Sequence, residues 1–151
     1  DAQVELASVG GVRRLPLAEF VTGPRRTALG PSEILTAVLL PEAQGCGSFV
    51  KLGARAYLVI SIVMVAARVV VADGRLTQVA LAVGSCGPVA VRMTELEARL
   101  TGARVADAAG MVSADLVAPA LSPIDDVRAD AAYRTDAALE LIRRALDGAM
   151  A

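Results

Sequence analysis

Apolar positions along this chain follow two periods, and the switch between them divides it. Over residues 2–9 they alternate, with Val4, Leu6 and Ala2 on one face and Gln3 and Glu5 on the other. That is the pattern of a half-buried strand. Gly10-Gly11 follows as a turn, and "GVRRLPL" (11–17) reads as the returning strand of a hairpin. "VTGPRRTALGPSE" (21–33) is a loop marked by Gly23-Pro24 and Gly30-Pro31. "EILTAVLLP" (33–41) is a short apolar strand closed by Pro41, and "EAQGCG" is a further loop.

The second half opens with "SFVKLGAR" (48–55), another strand. An uninterrupted apolar run then extends from Ala56 to Ala67, between Arg55 and Arg68. A bilayer-spanning helix needs ~20 residues, so the run is too short to cross a membrane. Its β-branched residues, among them Val59, Ile60, Ile62, Val63 and Val65, favour buried strand. The run is therefore assigned to a soluble core, with a long strand over roughly 60–72. Asp73-Gly74 makes a tight turn, and "LTQVALAVGS" (76–85) returns with Val79, Leu81 and Val83 on one face. Three antiparallel strands result.

After Gly87-Pro88 the period becomes helical. Met93, Leu96 and Leu100 predict a helix over 92–100, with Gly102 just past its end. Residues 105–121 are Ala-rich and helical in part, and "SPIDDVRAD" is a linker. Residues 131–150 form the best helix. Its apolar stripe is Tyr133, Ala137, Leu141 and Ala145, flanked by Ala138 and Ile142. Arg134, Glu140, Arg143, Arg144 and Asp147 cover the rest, and Glu140–Arg144 is an i,i+4 pair. Strands first and helices second define an α+β layout, an antiparallel three-stranded sheet with helices on one face.

Composition narrows the chemistry. With 151 residues the chain is long enough for roughly one ordinary domain. It has no Trp, two Tyr and two Phe, so the core must be aliphatic. The formal charge of −1 gives no electrostatic reason to expect nucleic acid or an anionic membrane as partner. The chain opens directly on a strand pattern, as expected of a piece of a longer one. There is no His, which removes the usual general base and any Ser–His or Cys–His pair. Cys46 and Cys86, in "GCGS" and "SCGP", make a poor metal site and read as unpaired cytosolic thiols.

Little else looks catalytic. No GxGxxG fingerprint occurs, since Gly45-Cys46-Gly47 does not open a helix. Asp125-Asp126 reads as a solvated turn, and Arg13-Arg14 and Arg25-Arg26 as surface pairs. Lys51 is the only lysine and sits between Val50 and Leu52. By pattern alone it is an ordinary strand lysine facing water.

Four phrases in order carry a resemblance. They are residues 1–41, through Thr27, Leu29, Pro31, Glu33, Ile34 and Leu35, then "FVKLGARAYLVISIVMVAA" (49–67), "GSCGPVAVRMTELEARLTG" (84–102) and "SPIDDVRADAAYRTDAALELIRRAL" (122–146). Together they resemble the FAD-binding medium subunit of molybdenum hydroxylases, the xanthine dehydrogenase and carbon monoxide dehydrogenase flavoprotein family. On this resemblance residues 1–41 are the end of the FAD-binding domain, its second subdomain. Residues 42–151 are then the C-terminal flavoprotein domain of the carbon monoxide dehydrogenase type.

The resemblance implies a cofactor, FAD, and a role passing electrons from iron–sulfur centres through the flavin to an acceptor. It implies partners as well, an iron–sulfur subunit and a molybdenum-cofactor subunit, in the cytoplasm. By position it places Leu35 and Lys51 beside the flavin. Leu35 would pack on the ring system, and Lys51 would supply a cation and hydrogen bonds. Arg92, Arg128 and Arg134 are expected to be structural, pairing with Glu97 or Asp126. Many relatives carry an acidic residue near the place of Val59. The family's Gly-rich pyrophosphate-binding segment has no counterpart here, so this chain alone is expected to hold FAD weakly or not at all. Two other readings compete: a non-catalytic subunit-docking module with the same fold, and an independent enzyme. The lack of His and of a carboxylate dyad counts against the latter.

Overall fold

A computed structural model describes residues 1–151. The chain forms two compact units, Asp1–Ala43 and Gln44–Ala151.

In the first unit β1 (Gln3–Ser8) lies between β2 (Gly11–Pro16) and β5 (Ile34–Leu39), all antiparallel. The alternation read from the sequence is realised, with Val4 and Leu6 fully buried. The stretch after the second strand, with its loop assigned to 21–33, holds more structure than expected. A single helical turn, α1 (Leu17–Phe20), brings Phe20 onto Val4 and Leu6. β3 (Val21–Gly23) and β4 (Arg26–Thr27) then form a small hairpin. At Thr36 the pairing of β5 with β1 slips by one residue, and the Thr36 hydroxyl donates to the Glu5 carbonyl at 3.2 Å. Leu35 pairs with Leu6, and Val38 with Val4. Cross-strand partners share a face, so Leu35 and Val38 continue the core face onto the edge strand. There they remain 40% and 54% exposed.

The second unit is a sheet in the order β6-β7-β8-β9, backed by helices. Its strands are β6 (Cys46–Leu52), β7 (Val63–Ala72), β8 (Arg75–Gly84) and β9 (Val91–Arg92). The sheet is thus four-stranded, one more than the sequence pattern predicts. β9 escaped notice because two residues are too few for a period, and it pairs only with Ala82 and Val83. The β7–β8 turn uses Asp73 and Gly74 with φ of 51° and 72°, the left-handed pair that a two-residue hairpin of the Asp-Gly type requires.

Val63, Val65, Ala67 and Val69 of β7 all face inward. On β8 the register slips beside Thr77, whose hydroxyl donates to the Val70 carbonyl at 3.1 Å. The slip changes the parity, so Leu76 and Leu81 are both fully buried.

The helices are α2 (Thr94–Leu100), the short α3 (Val105–Ala108) and α4 (Ala114–Val117), and α5 (Ala131–Met150). Leu96 and Leu100 of α2 join Ile142, Ala145 and Leu146 of α5 in one aliphatic core with β7 and β8. The segment 105–121 is broken into short turns, yet it contributes Ala108, Val112 and Val117 to that core. Asp130 caps α5 by accepting from the Tyr133 backbone N–H.

Two expectations fail on burial. The apolar run is not core throughout: residues 53–61 form a loop, leaving Tyr57, Leu58 and Ile60 in solvent. Only from Val63 onward is the run strand, with Ile62 buried just before it. The inward stripe of α5 is also rotated from the predicted one. Tyr133 is half exposed, and Arg134, expected on the polar side, is 2% exposed. Residues 134, 138, 141, 142 and 145 are in fact in helical phase.

Candidate flavin-facing surfaces

Leu35 belongs to the first unit. It stands on β5 just after a loop braced by Glu33. The Glu33 carboxylate accepts from the Arg13 side chain and, at 2.7 Å, from the Gly30 backbone N–H. Arg13 also donates to the Ala28 carbonyl at 2.9 Å. These bonds, the Arg13 guanidinium foremost, hold the Glu33 carboxyl down to about 2. The segment 27–33 is therefore fixed by charge and delivers Leu35 to an edge strand with its apolar surface uncovered.

Lys51 belongs to the second unit. It lies on β6 opposite Met64, on the face turned away from the helices, and is exposed. Its Nζ donates to the Val59 carbonyl at 2.8 Å, so it crosses from the strand to the loop that follows. The sequence marks Lys51 as unusual but not this bond, because a period-2 reading carried the strand onward through Gly53. Phe49, two residues earlier on the same face, is 62% exposed.

The three arginines expected to be structural are paired as anticipated. Arg92 grips Glu97 through Nε and Nη2, each at 2.8 Å, and Glu97 also accepts from the Leu81 backbone N–H at 2.8 Å. One buried carboxylate thus joins α2 to β8 and β9. Asp126 accepts from both Arg128 and Arg134. The Arg128 backbone N–H and these cations hold its carboxyl below the usual range. Arg134 additionally donates to the Ile62 and Ser85 carbonyls at 2.6 and 3.0 Å.

Both cysteines are free. Cys86 is buried, and burial pushes its thiol up despite nearby Arg134, the opposite of what a reactive thiolate needs. No group of three His, Cys, Asp or Glu side chains is placed to hold a metal ion. No helix is long and apolar enough to cross a membrane. A hollow of about 170 Å³ beside the start of α2, lined by Arg92, Thr94, Glu95 and Leu116 among others, is too small for a dinucleotide cofactor.

In this chain an aliphatic α+β unit follows a small sheet whose β5 edge leaves Ile34, Leu35 and Val38 exposed. Residues 48–149 match the CO dehydrogenase flavoprotein C-terminal domain, and residues 1–43 match the FAD binding domain in molybdopterin dehydrogenase. The chain belongs to this family of FAD-binding medium subunits.

It is 31% identical over 149 residues to the nicotine 6-hydroxylase medium subunit of Paenarthrobacter nicotinovorans, covering 97% of this chain and 51% of that protein. It is 29% identical over 157 residues to the carbon monoxide dehydrogenase medium chain of Hydrogenophaga pseudoflava, covering 100% and 53%. Among solved structures, the Hydrogenophaga pseudoflava carbon monoxide dehydrogenase superposes with a TM-score of 0.89 at 25% identity, over 99% of this chain and 53% of that one. Quinoline 2-oxidoreductase from Pseudomonas putida 86 gives 0.86 at 26% identity, over 99% and 54%. The chain therefore spans about half the length of the relatives it matches. FAD is the cofactor of the full-length subunit in this family.

Proposed function

We propose that this chain is the C-terminal part of the FAD-binding subunit of a molybdenum-containing hydroxylase, xanthine dehydrogenase-like in its electron path. Residues 1–41 end the FAD-binding domain, and residues 42–151 form the C-terminal flavoprotein domain. The subunit relays electrons from iron–sulfur centres to an acceptor, in a cytoplasmic complex with an iron–sulfur subunit and a molybdenum-cofactor subunit. The flavin, when bound, supplies the means of accepting and releasing those electrons.

The reading rests on one observation. Two family matches, in the order of the full subunit, cover residues 1–43 and 48–149 of a chain that spans about half of its relatives.

Two residues are proposed to touch the cofactor. Leu35 supplies apolar packing from the uncovered face of β5, and 40% of its surface is available for it. Lys51 supplies a cation on an exposed strand face. Both fit an apolar ring with a polar rim. Neither surface offers the backbone N–H cradle that a pyrophosphate needs, so this chain by itself is expected to bind FAD weakly and to be inactive.

The test is spectroscopic. The full-length subunit should show flavin absorbance and lose it on Leu35→Asp or Lys51→Ala. A full-length subunit that stays colourless with excess FAD would instead support the non-catalytic docking module, to which the exposed Phe49, Tyr57 and Leu58 are equally suited.

A further inference from the structure

The first unit's sheet has two open edges, and the sequence treats them differently. β2 ends the sheet on one side and β5 on the other, with β1 between them. β2 carries Arg13 and Arg14, both exposed, and closes on Pro16. Charge and proline on an edge strand keep foreign strands from pairing with it. β5 has neither. Residues 34–40 read "ILTAVLL", with no charge before Pro41, and Ile34, Val38 and Leu40 are 71%, 54% and 79% exposed. The other edges are protected. β6 holds Lys51 exposed, and β3, β4 and β9 are only two or three residues long. An uncharged apolar edge is a template for another strand.

The backbone points the same way. In antiparallel pairing β1 takes up only about half of the β5 N–H and C=O groups, and the rest face away from it. Thr36 divides the strand. Its hydroxyl is drawn onto Glu5, 3.2 Å from the carbonyl and 3.1 Å from Oε1, and the register slips there. Leu35 lies before the slip. Beyond it the pairing with β1 is regular over 37–39.

We propose that the free edge of β5 over 37–40 takes an extended strand from the half of the full-length subunit that precedes residue 1, with apolar side chains of that strand covering Val38. The identity of the occupant rests on the proposed function, which puts the absent half upstream. Length supports it, since the matched relatives are covered over only 51% and 53% of their own chains. Need supports it as well, because Val4, Leu6 and Phe20 are too small a core to hold the unit alone. A strand from the same chain is present at high effective concentration, which favours it over a second copy. Main-chain bonds would supply the affinity and Val38 the register. Leu35, on the other side of the slip, stays available to the flavin.

The experiment follows amide exchange residue by residue in the full-length subunit, where the two edges of one sheet serve as each other's control. All amides over 37–40 should exchange slowly, about tenfold slower than the outward amides of β2. Protection confined to the alternate amides that β1 holds overturns the proposal. Val38→Lys gives β5 the charge that β2 already has. It should quicken exchange over 37–40 about tenfold while β1 and β2 keep theirs. Parent-like exchange over 37–40 in that variant also overturns the proposal, and if the variant fails to fold, the parent comparison still decides.

Sedimentation of the parent separates the occupants. If protection over 37–40 disappears on dilution together with a dimer, a second copy covers β5 and the proposal is overturned. Flavin absorbance of the same samples separates this inference from the reading it rests on. A subunit that takes up FAD with β5 unprotected sinks the inference alone. A colourless subunit with β5 paired sinks the functional reading and leaves the pairing standing.

Discussion

The two units of the chain are held by different physics. In Gln44–Ala151 one aliphatic cluster joins every helix to the sheet, and its largest members, such as Leu81, Leu96 and Ile142, are fully buried. In Asp1–Ala43 the buried set is Val4, Leu6 and Phe20, too small to stabilise a domain of that length by itself. Charge does part of the work there: Arg13–Glu33 ties the loop to β2, and Arg14–Glu5 crosses β1 and β2. The first unit also leaves Ile34 and Val38 more than half exposed on an edge strand. A unit with a complete core can stand on its own packing. A unit whose core face runs out at an open edge depends on what covers it.

Truncating the cores tests this contrast most strongly. Ile142→Ala should cost about 4 kcal/mol, because the site lies among packed neighbours that cannot collapse into the void. Leu6→Ala should cost about 2 kcal/mol, since a three-residue cluster at an open edge relaxes more easily. Denaturant unfolding followed by a probe in each unit measures both. Equal losses would remove the distinction.

Arg134→Leu comes next, at about 3 kcal/mol. The guanidinium has only 3% of its side chain exposed, and it satisfies the Ile62 and Ser85 carbonyls together with Asp126. A leucine fills part of the space but leaves those acceptors unpaired. If the loss is below about 1 kcal/mol, water replaces the guanidinium and the network is not structural.

Much of the second unit was legible because its periods are long and its core aliphatic. Residues 131–150 are helical as read, and 94–100 lies inside the predicted helix. The hairpin around Asp73-Gly74 is announced by its turn residues. What escaped was whatever tertiary contact decides against pattern. Arg134 is in phase with the apolar stripe, but charge argued for the surface, and only three acceptors, from the residue before β7, the residue after β8 and the 122–130 linker, make its burial tolerable. Tyr57, Leu58 and Ile60 look like core in sequence because composition cannot show that Lys51 and Arg55 seize the backbone around them. The candidate site residues were named from a resemblance. Periodicity alone makes Leu35 and Lys51 ordinary strand residues.

The first unit should also carry the sharper acid dependence. Glu33 is depressed to about 2 in the folded chain by Arg13 and the Gly30 N–H. A carboxylate whose folded value lies below its unfolded one adds stability above the ordinary glutamate range, and that stability is lost as pH falls through the folded value. The thermal midpoint sensed at Leu35 should therefore decline as pH drops from about 4.5 towards about 2. In Glu33→Gln that decline should flatten, because the titrating group is gone. A variant with the parent's pH profile would place the acid sensitivity elsewhere, with Glu5 and Asp126, whose carboxyls are also lowered, as the next candidates.

The smallest effect concerns a pair that the sequence identified correctly and that matters least. Glu140 and Arg144 meet at 2.8 Å on α5, with 48% and 68% of their side chains exposed. At that exposure water screens the attraction, and ordering two long side chains cancels much of the gain, so Arg144→Ala should cost less than about 0.5 kcal/mol. The same helix carries Arg134 three turns earlier, where a cation is worth several times more only because it is buried against fixed acceptors. Measuring both variants in one chain, at low and high salt, isolates that difference. The Arg144 effect should fade with salt while the Arg134 effect persists. If both fade alike, Arg134 is solvated in solution, and the anchor beneath the 53–61 loop is lost with it.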